Sequence, residues 1–125
     1  MTIRSHRDLK VWGRAMDPVA ASYKLTELLP RSEGYALVAK IRRAAVSIPA
    51  NIAEGTEESI WVTTLHHLSV ANGSLMEVET HLLIANRLAY LSMSQIEPLL
   101  GLSAEISRML AGLTKKLKAR QLTST

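Results

Sequence analysis

Ile41-Arg42-Arg43-Ala44-Ala45-Val46-Ser47-Ile48-Pro49-Ala50-Asn51-Ile52-Ala53-Glu54-Gly55 is the stretch on which the fold turns. With Leu37 ahead of it, Ile41, Ala45, Ile48 and Ile52 recur at steps of three and four, the spacing of one face of an α-helix. At about 100° per residue, Arg43, Ser47, Asn51 and Glu54 fall within about 80° of one another, opposite that stripe. Between the two faces stand only Val46, Pro49, Ala50 and Ala53. So little bulk predicts a helix buried on most sides. The line Arg43, Ser47, Asn51 and Glu54 then reads as a hydrogen-bonded network that fixes helix or subunit packing, because a buried, unpaired Arg is strongly destabilising. An anion-binding line through Arg43 is the competing reading. Pro49 inside the pattern predicts a kink, and Gly55 a helix end.

The same periodicity extends over the rest of the chain. A first helix over about 8–29 carries Leu9, Trp12, Met16, Val19, Ala20 and Tyr23, with Pro18 predicting a second kink or a junction of two shorter helices. The central helix covers about 33–54. A third, over about 59–91 with Ser59 as its cap, has one stripe through Leu68, Ala71, Leu75, Val78, Leu82, Ala85 and Ala89. A second stripe on it, Leu65, Met76 and Leu83, needs another helix or another subunit to cover it. Ser94-Gln95-Ile96-Glu97 fits a capping box and opens a fourth helix over about 95–119, whose seam is Ile96, Leu99, Ser103, Ile106, Leu110, Leu113 and Leu117. Short connections predict one all-α domain, an up-down-up-down four-helix bundle with both chain ends at the same end.

The chain has 125 residues, enough for one domain, and 47% apolar residues supply its core. Two Trp, three Tyr and no Phe make that core aliphatic, and the absence of Cys excludes disulfides and thiolate chemistry. The net charge of +4 is unevenly placed. Arg4, Arg7, Lys10 and Arg14 face a single acid, Asp8, at the start. Arg108, Lys115, Lys116, Lys118 and Arg120 face none at the end, and the middle is mildly acidic. Two basic segments at one end of a bundle suggest an anionic partner, although the Glu54–Glu58 loop at that end partly offsets their field and a basic helix C-terminus also balances its own dipole. No segment has the length and apolarity of a membrane span, and the first residues lack the apolar run of a signal peptide, so a cytoplasmic protein is expected.

Enzyme chemistry finds little support. There is no Gly-x-Ser-x-Gly elbow and no phosphate-binding glycine loop. Gly73-Ser74 lies inside a helix and reads as a point of close helix approach or a kink. His66, Glu77 and His81 lie on one face of the third helix, but Glu77 is followed three residues on by Thr80, not by the His of a bundle metal motif. No cofactor is expected. The basic residues lack interleaved aromatics, which leaves phosphate contact as their nucleic-acid chemistry.

The stretch from Arg42 to Gly55 resembles the signature of a bacterial family, the four-helix bundle proteins encoded by intervening sequences of 23S ribosomal RNA genes, often labelled S23 ribosomal proteins. Asp8-Leu9-Lys10-Val11-Trp12 resembles the family's opening, Gly73-Ser74-Leu75-Met76-Glu77-Val78-Glu79-Thr80 its third-helix motif, and Leu88-Ala89-Tyr90-Leu91 the end of that helix. The likeness extends over about residues 6–118; Gly13, in place of a polar residue, and Pro18 depart from it. It implies a left-handed bundle assembling into a homopentameric ring. Members similar in fold serve as nucleic-acid-binding accessory proteins of retroelements, and the ribosomal label reflects gene location. It implies no catalytic role for Arg43, Asn51 or Glu54.

The expectation is therefore a non-enzymatic homo-oligomer that binds RNA or DNA phosphates through Arg4, Arg7, Lys10, Arg14, Lys115, Lys116, Lys118 and Arg120. The alternative is a scaffold with a protein partner and no nucleic-acid role. A metal-binding or enzymatic bundle built on His66, Glu77 and His81 is the third reading.

Overall fold

The computed structural model describes residues 5–57 and 61–123. A short 3-10 turn, His6–Asp8, leads into α1 (Lys10–Thr26). A 3-10 turn at Arg31–Glu33 and a π-helical turn at Gly34–Val38 lead into α2 (Ala39–Glu57), and α3 (Trp61–Arg87) and α4 (Met93–Thr123) follow. No strand occurs among the described residues. Each helix packs on its sequence neighbours, and α4 closes the ring against α1, giving a four-helix bundle. No helix among the described residues is long and apolar enough to cross a membrane.

The core stripes of α2, α3 and α4 lie where the periodicity puts them. Leu37, Ile41, Ala45, Ile48 and Ile52 are buried, as are the third-helix residues from Leu68 to Ala85 and the α4 seam from Ile96 to Leu110; Leu113 and Leu117 are partly covered. The face of α1 is different. Val11, Ala15, Pro18, Ser22 and Thr26 point inward, while Met16 and Tyr23 are exposed. Small side chains let α1 sit close to its neighbours, and the bulkier Trp12 and Val19 flank the contact. α1 runs through Pro18 as one helix, so no junction of two shorter helices occurs there.

Three helix ends differ from expectation. α2 continues past Gly55 to Glu57. A Cβ on Gly55 would stand 2.9 Å from the Cβ of His67 and 3.3 Å from the carbonyl oxygen of Thr64, so this glycine permits close packing of α2 on α3. Gly73, with nothing within 4 Å of such a Cβ, does not mark an approach. α3 stops at Arg87 because Ala89 adopts a left-handed φ of 65°. The Ala89 N–H then bonds the Asn86 carbonyl and the Tyr90 N–H bonds the Ala85 carbonyl, both at 2.9 Å, a Schellman closure.

The capping box of α4 lies two residues earlier than Ser94. The Ser92 N–H donates to Gln95 Oε1 at 2.8 Å, and the Gln95 N–H donates to Ser92 Oγ at 3.2 Å. Leu91 and Ile96, on either side of this box, are both buried and form its hydrophobic staple. Ser59, expected to cap α3, lies outside the described residues.

Candidate nucleic-acid interface

The most cationic segment of the chain is the last part of α4, which lies beside an acid-free segment of α3. From residue 61 to 76, α3 carries no Asp or Glu, and from 106 to 123, α4 carries none. The two segments run antiparallel and in register, since Ser107 Oγ donates to Asn72 Oδ1 at 2.7 Å. α4 is 31 residues long and α1 only 17. Because Arg14 is level with Glu105, α1 begins about level with residue 109 of α4. Beyond that point α4 lies beside α3 without an α1 helix on its other flank. Lys115, Lys116 and Lys118 stand there, exposed and with no ion pair among the described residues; Arg120 is exposed beside them.

Between the two segments runs an open groove of about 580 Å³, lined among others by Leu65, Ser69, Asn72, Ala111, Lys115 and Lys118. Small residues create it. Ser69 and Ala111, both exposed and short, are among its lining residues. Sequence reasoning named the two lysines but missed the groove, because which residues face each other depends on a register between helices that periodicity does not give.

In the α1 half of the expected basic end, Arg14 is paired with two carboxylates. Arg14 Nη2 donates to Glu105 Oε2 at 2.8 Å and Nη1 to Asp17 Oδ2 at 2.7 Å. These bonds hold the guanidinium pKa above its ordinary value, and the same Arg14 bond holds the Glu105 carboxyl below the usual range. Nearby, both the backbone N–H and Nδ1 of His6 contact Glu57 Oε1, at 3.2 and 2.9 Å; the side-chain bond and then the backbone bond lower the pKa of Glu57. Arg7 and Lys10 are exposed on this side. Arg4 lies outside the described residues.

The polar line of the central helix divides in two. Asn51 Nδ2 donates to Ser47 Oγ at 2.9 Å, Ser74 Oγ lies 2.9 Å from the same Ser47 oxygen, and Asn51 Oδ1 lies 3.1 Å from His67 Nδ1. Glu54 Oε2 lies 3.6 Å from that ring nitrogen. This chain ties α2 to α3 through Ser47 and Asn51, with His67 and Ser74 as members that the sequence did not name. Arg43 is outside it. It is exposed and makes no hydrogen bond or ion pair among the described residues, and Val46 and Ala50 beside it are exposed too. The expected burial of this helix on most sides therefore fails within one chain: only its Ile41–Ile52 face turns inward. Arg42 is the arginine that braces the bundle, donating from Nε to Thr26 Oγ1 at 2.9 Å with its guanidinium carbon 4.4 Å from the centre of the Tyr23 ring.

Arg43, Lys40, Glu77 and His81 border a second cleft of about 390 Å³ between α2 and α3. His66 is not among its lining residues, and no three His, Asp or Glu side chains cluster as a metal site among the described residues. At the opposite end of the bundle the Tyr90 hydroxyl donates to Glu33 Oε2 at 3.0 Å, a bond that raises the tyrosine pKa and pins the α3–α4 corner to the α1–α2 connection.

No curated protein matches the chain. Among solved structures, it is similar to a protein of unknown function from the S23 ribosomal protein family of Bacteroides thetaiotaomicron, with a TM-score of 0.77 and 24% identity over 84% of this chain and 98% of that one. At that identity the likeness speaks for the fold, a helical bundle. A sequence model of the family described as 23S rRNA-intervening sequence protein matches residues 7–112. With most of its length matched, the Arg42–Gly55 stretch included, this chain belongs to the family of 23S rRNA-intervening sequence proteins.

Proposed function

We propose that this chain is a non-enzymatic bundle that binds the phosphate backbone of RNA or DNA through the end of α4 and assembles with copies of itself, as the pentamer the family resemblance implies. The observation that carries the first part is the acid-free pairing of residues 61–76 with 106–123, which leaves Lys115, Lys116 and Lys118 exposed without a neutralising carboxylate among the described residues. Such a patch attracts polyanions over several ångströms and releases their counterions on contact. Lys10 and Arg7 add positive charge at the start of α1, whereas Arg14 is held by Glu105 and Asp17 and contributes less.

Self-assembly is supported by apolar side chains that one copy leaves uncovered. Met76 is 41% exposed and Leu83 48%, both on the second stripe of α3, and Val46 on α2 is 44% exposed. The same residues favour the second reading, a scaffold whose partner is another protein.

The test is a fluorescence titration with labelled RNA and DNA at several salt concentrations, with the subunit count measured by light scattering on the same sample. Affinity should fall linearly in log salt, the slope counting the phosphates engaged. Reversing Lys115, Lys116 and Lys118 to Glu should weaken binding by more than about tenfold without changing the subunit count. No binding at low salt overturns the nucleic-acid reading and leaves the scaffold.

A further inference from the structure

We infer that the groove between α3 and α4 seats an unstacked nucleobase, so that the strand held by Lys115 and Lys118 is single-stranded where it crosses them. This rests on the nucleic-acid reading above and adds to it a site and a substrate class.

Five features of the groove point the same way. Its volume of about 580 Å³ admits a nucleotide-sized ligand, and the short side chains of Ser69 and Ala111 are part of its lining. Leu65 offers apolar surface to the face of a planar ring, while Asn72 offers hydrogen bonding to its edge. Asn72 accepts from Ser107 at its oxygen, and its amide nitrogen makes no bond among the described residues, so a donor is left over. Lys115 and Lys118 stand on the rim, at the place a phosphate flanking the base would take. Residues 61–76 and 106–123 carry no carboxylate, and the cations of the groove are all on its α4 wall.

An acidic amphipathic helix from another protein is the competing occupant. Such a helix docks by an apolar stripe spanning several turns. Here Ser69, Asn72, Ser107 and Thr114 stand among Leu65, Leu68 and Leu110, so polar side chains break the apolar lining on both helices. A base, apolar on its faces and polar at its edge, fits that mixture better. In a duplex the base faces are covered by their stacked neighbours and cannot enter. Contact with phosphates alone would favour the duplex instead, because it carries the higher charge density.

The decisive experiment compares three probes on the full chain at one low salt concentration: a short single strand, a strand of the same length and charge lacking its bases, and the corresponding duplex. Burying one base face on aliphatic surface should make the base-bearing single strand bind about tenfold more tightly than the abasic one. Ser69→Leu and Ala111→Leu, which fill the groove without altering charge, should abolish that advantage and leave abasic and duplex binding as they were. Circular dichroism checks that each variant is folded, and the comparison of strands needs no variant at all. Equal affinity for base-bearing and abasic strands, or an advantage untouched by both fillings, overturns the base seat while phosphate binding stands. Failure of every nucleic acid to bind removes the phosphate reading and the base seat together. Binding of an acidic helical peptide in that case, lost on filling the groove, assigns the groove to a protein partner.

Discussion

Gly55 and His67 approach so closely that a methyl group on the glycine would stand 2.9 Å from the histidine Cβ. The atom it would meet belongs to the root of a side chain, which cannot swing aside. The contact lies beside the Asn51–His67 hydrogen bond, so the polar network and the tightest packing of α2 on α3 occupy one place. Gly55→Ala gains about 1 kcal/mol of helix propensity and loses about 1–3 kcal/mol to overpacking. The expected net result is a loss of about 1 kcal/mol. Gly73→Ala, in open space within α3, should instead gain up to about 1 kcal/mol. Urea midpoints of the two variants check the pair; a stabilised Gly55→Ala would contradict the close approach.

Ala89 holds a φ of 65° without being glycine. A left-handed conformation costs an ordinary L-residue roughly 1–2 kcal/mol. Ala89→Gly should recover about 1 kcal/mol of that and raise the melting temperature by several degrees, with no change in the bundle. A lowered melting temperature would mean that α3 does not end in this way.

Ser92 and Ser94 both begin a Ser-x-x-Glu/Gln sequence, but only Ser92 satisfies the backbone donors at the start of α4. Ser92→Ala should cost about 1 kcal/mol. Ser94→Ala should leave stability nearly unchanged. Thermal melts of the two variants side by side decide the register, and equal losses would count against it.

Arg14 and Glu105 join α1 to α4 on the surface at 2.8 Å. Arg14 keeps the folded-state pKa of Glu105 below its unfolded value, so the stabilisation is complete above the ordinary glutamate range, near about pH 4.3, and is lost as pH falls through the lowered folded value. Glu57, lowered by His6, contributes in the same direction. Melting temperature should therefore drop as the pH is taken below about 4, and Glu105→Gln should make that drop shallower. Both partners are exposed, so the change is small; an identical acid profile for wild type and variant would exclude the pair as a contributor.

Large aliphatic residues at steps of three and four made three of the four helix faces readable, because Ile41, Leu75 and Ile106 have few ways to leave water other than toward one another. α1 misled for the opposite reason: its buried face is Ala15, Pro18, Ser22 and Thr26, which an apolarity pattern ranks below Met16 and Tyr23. The start of α4 was ambiguous in the box residues alone. The deciding signal was present in Leu91 and Ile96, the staple pair that fits Ser92 and not Ser94. The lysines of the candidate interface were legible as charge, but the groove beside them was not, since Ser69 and Ala111 line one groove only through a register set by all four helices together. Arg43 shows the reverse error: the pattern placed it in the polar line, and its neighbours Val46 and Ala50 suggested burial, whereas it is exposed and stands outside the hydrogen bonds of that line.

The unequal lengths of α1 and α4 have a consequence for cooperativity. No residue of α4 after Leu110 is fully buried among those described, so the helical turns that carry Lys115, Lys116 and Lys118 are supported on one flank only. Amide hydrogens there should exchange through local opening at far lower free energy than those of Ile106, which report global unfolding. A polyanion that engages these turns would have to hold them in place, and its binding would appear as exchange protection confined to the last turns of α4. The bundle thus separates a rigid interior from a compliant terminal arm, and ligand binding reaches the stability of the arm without that of the whole.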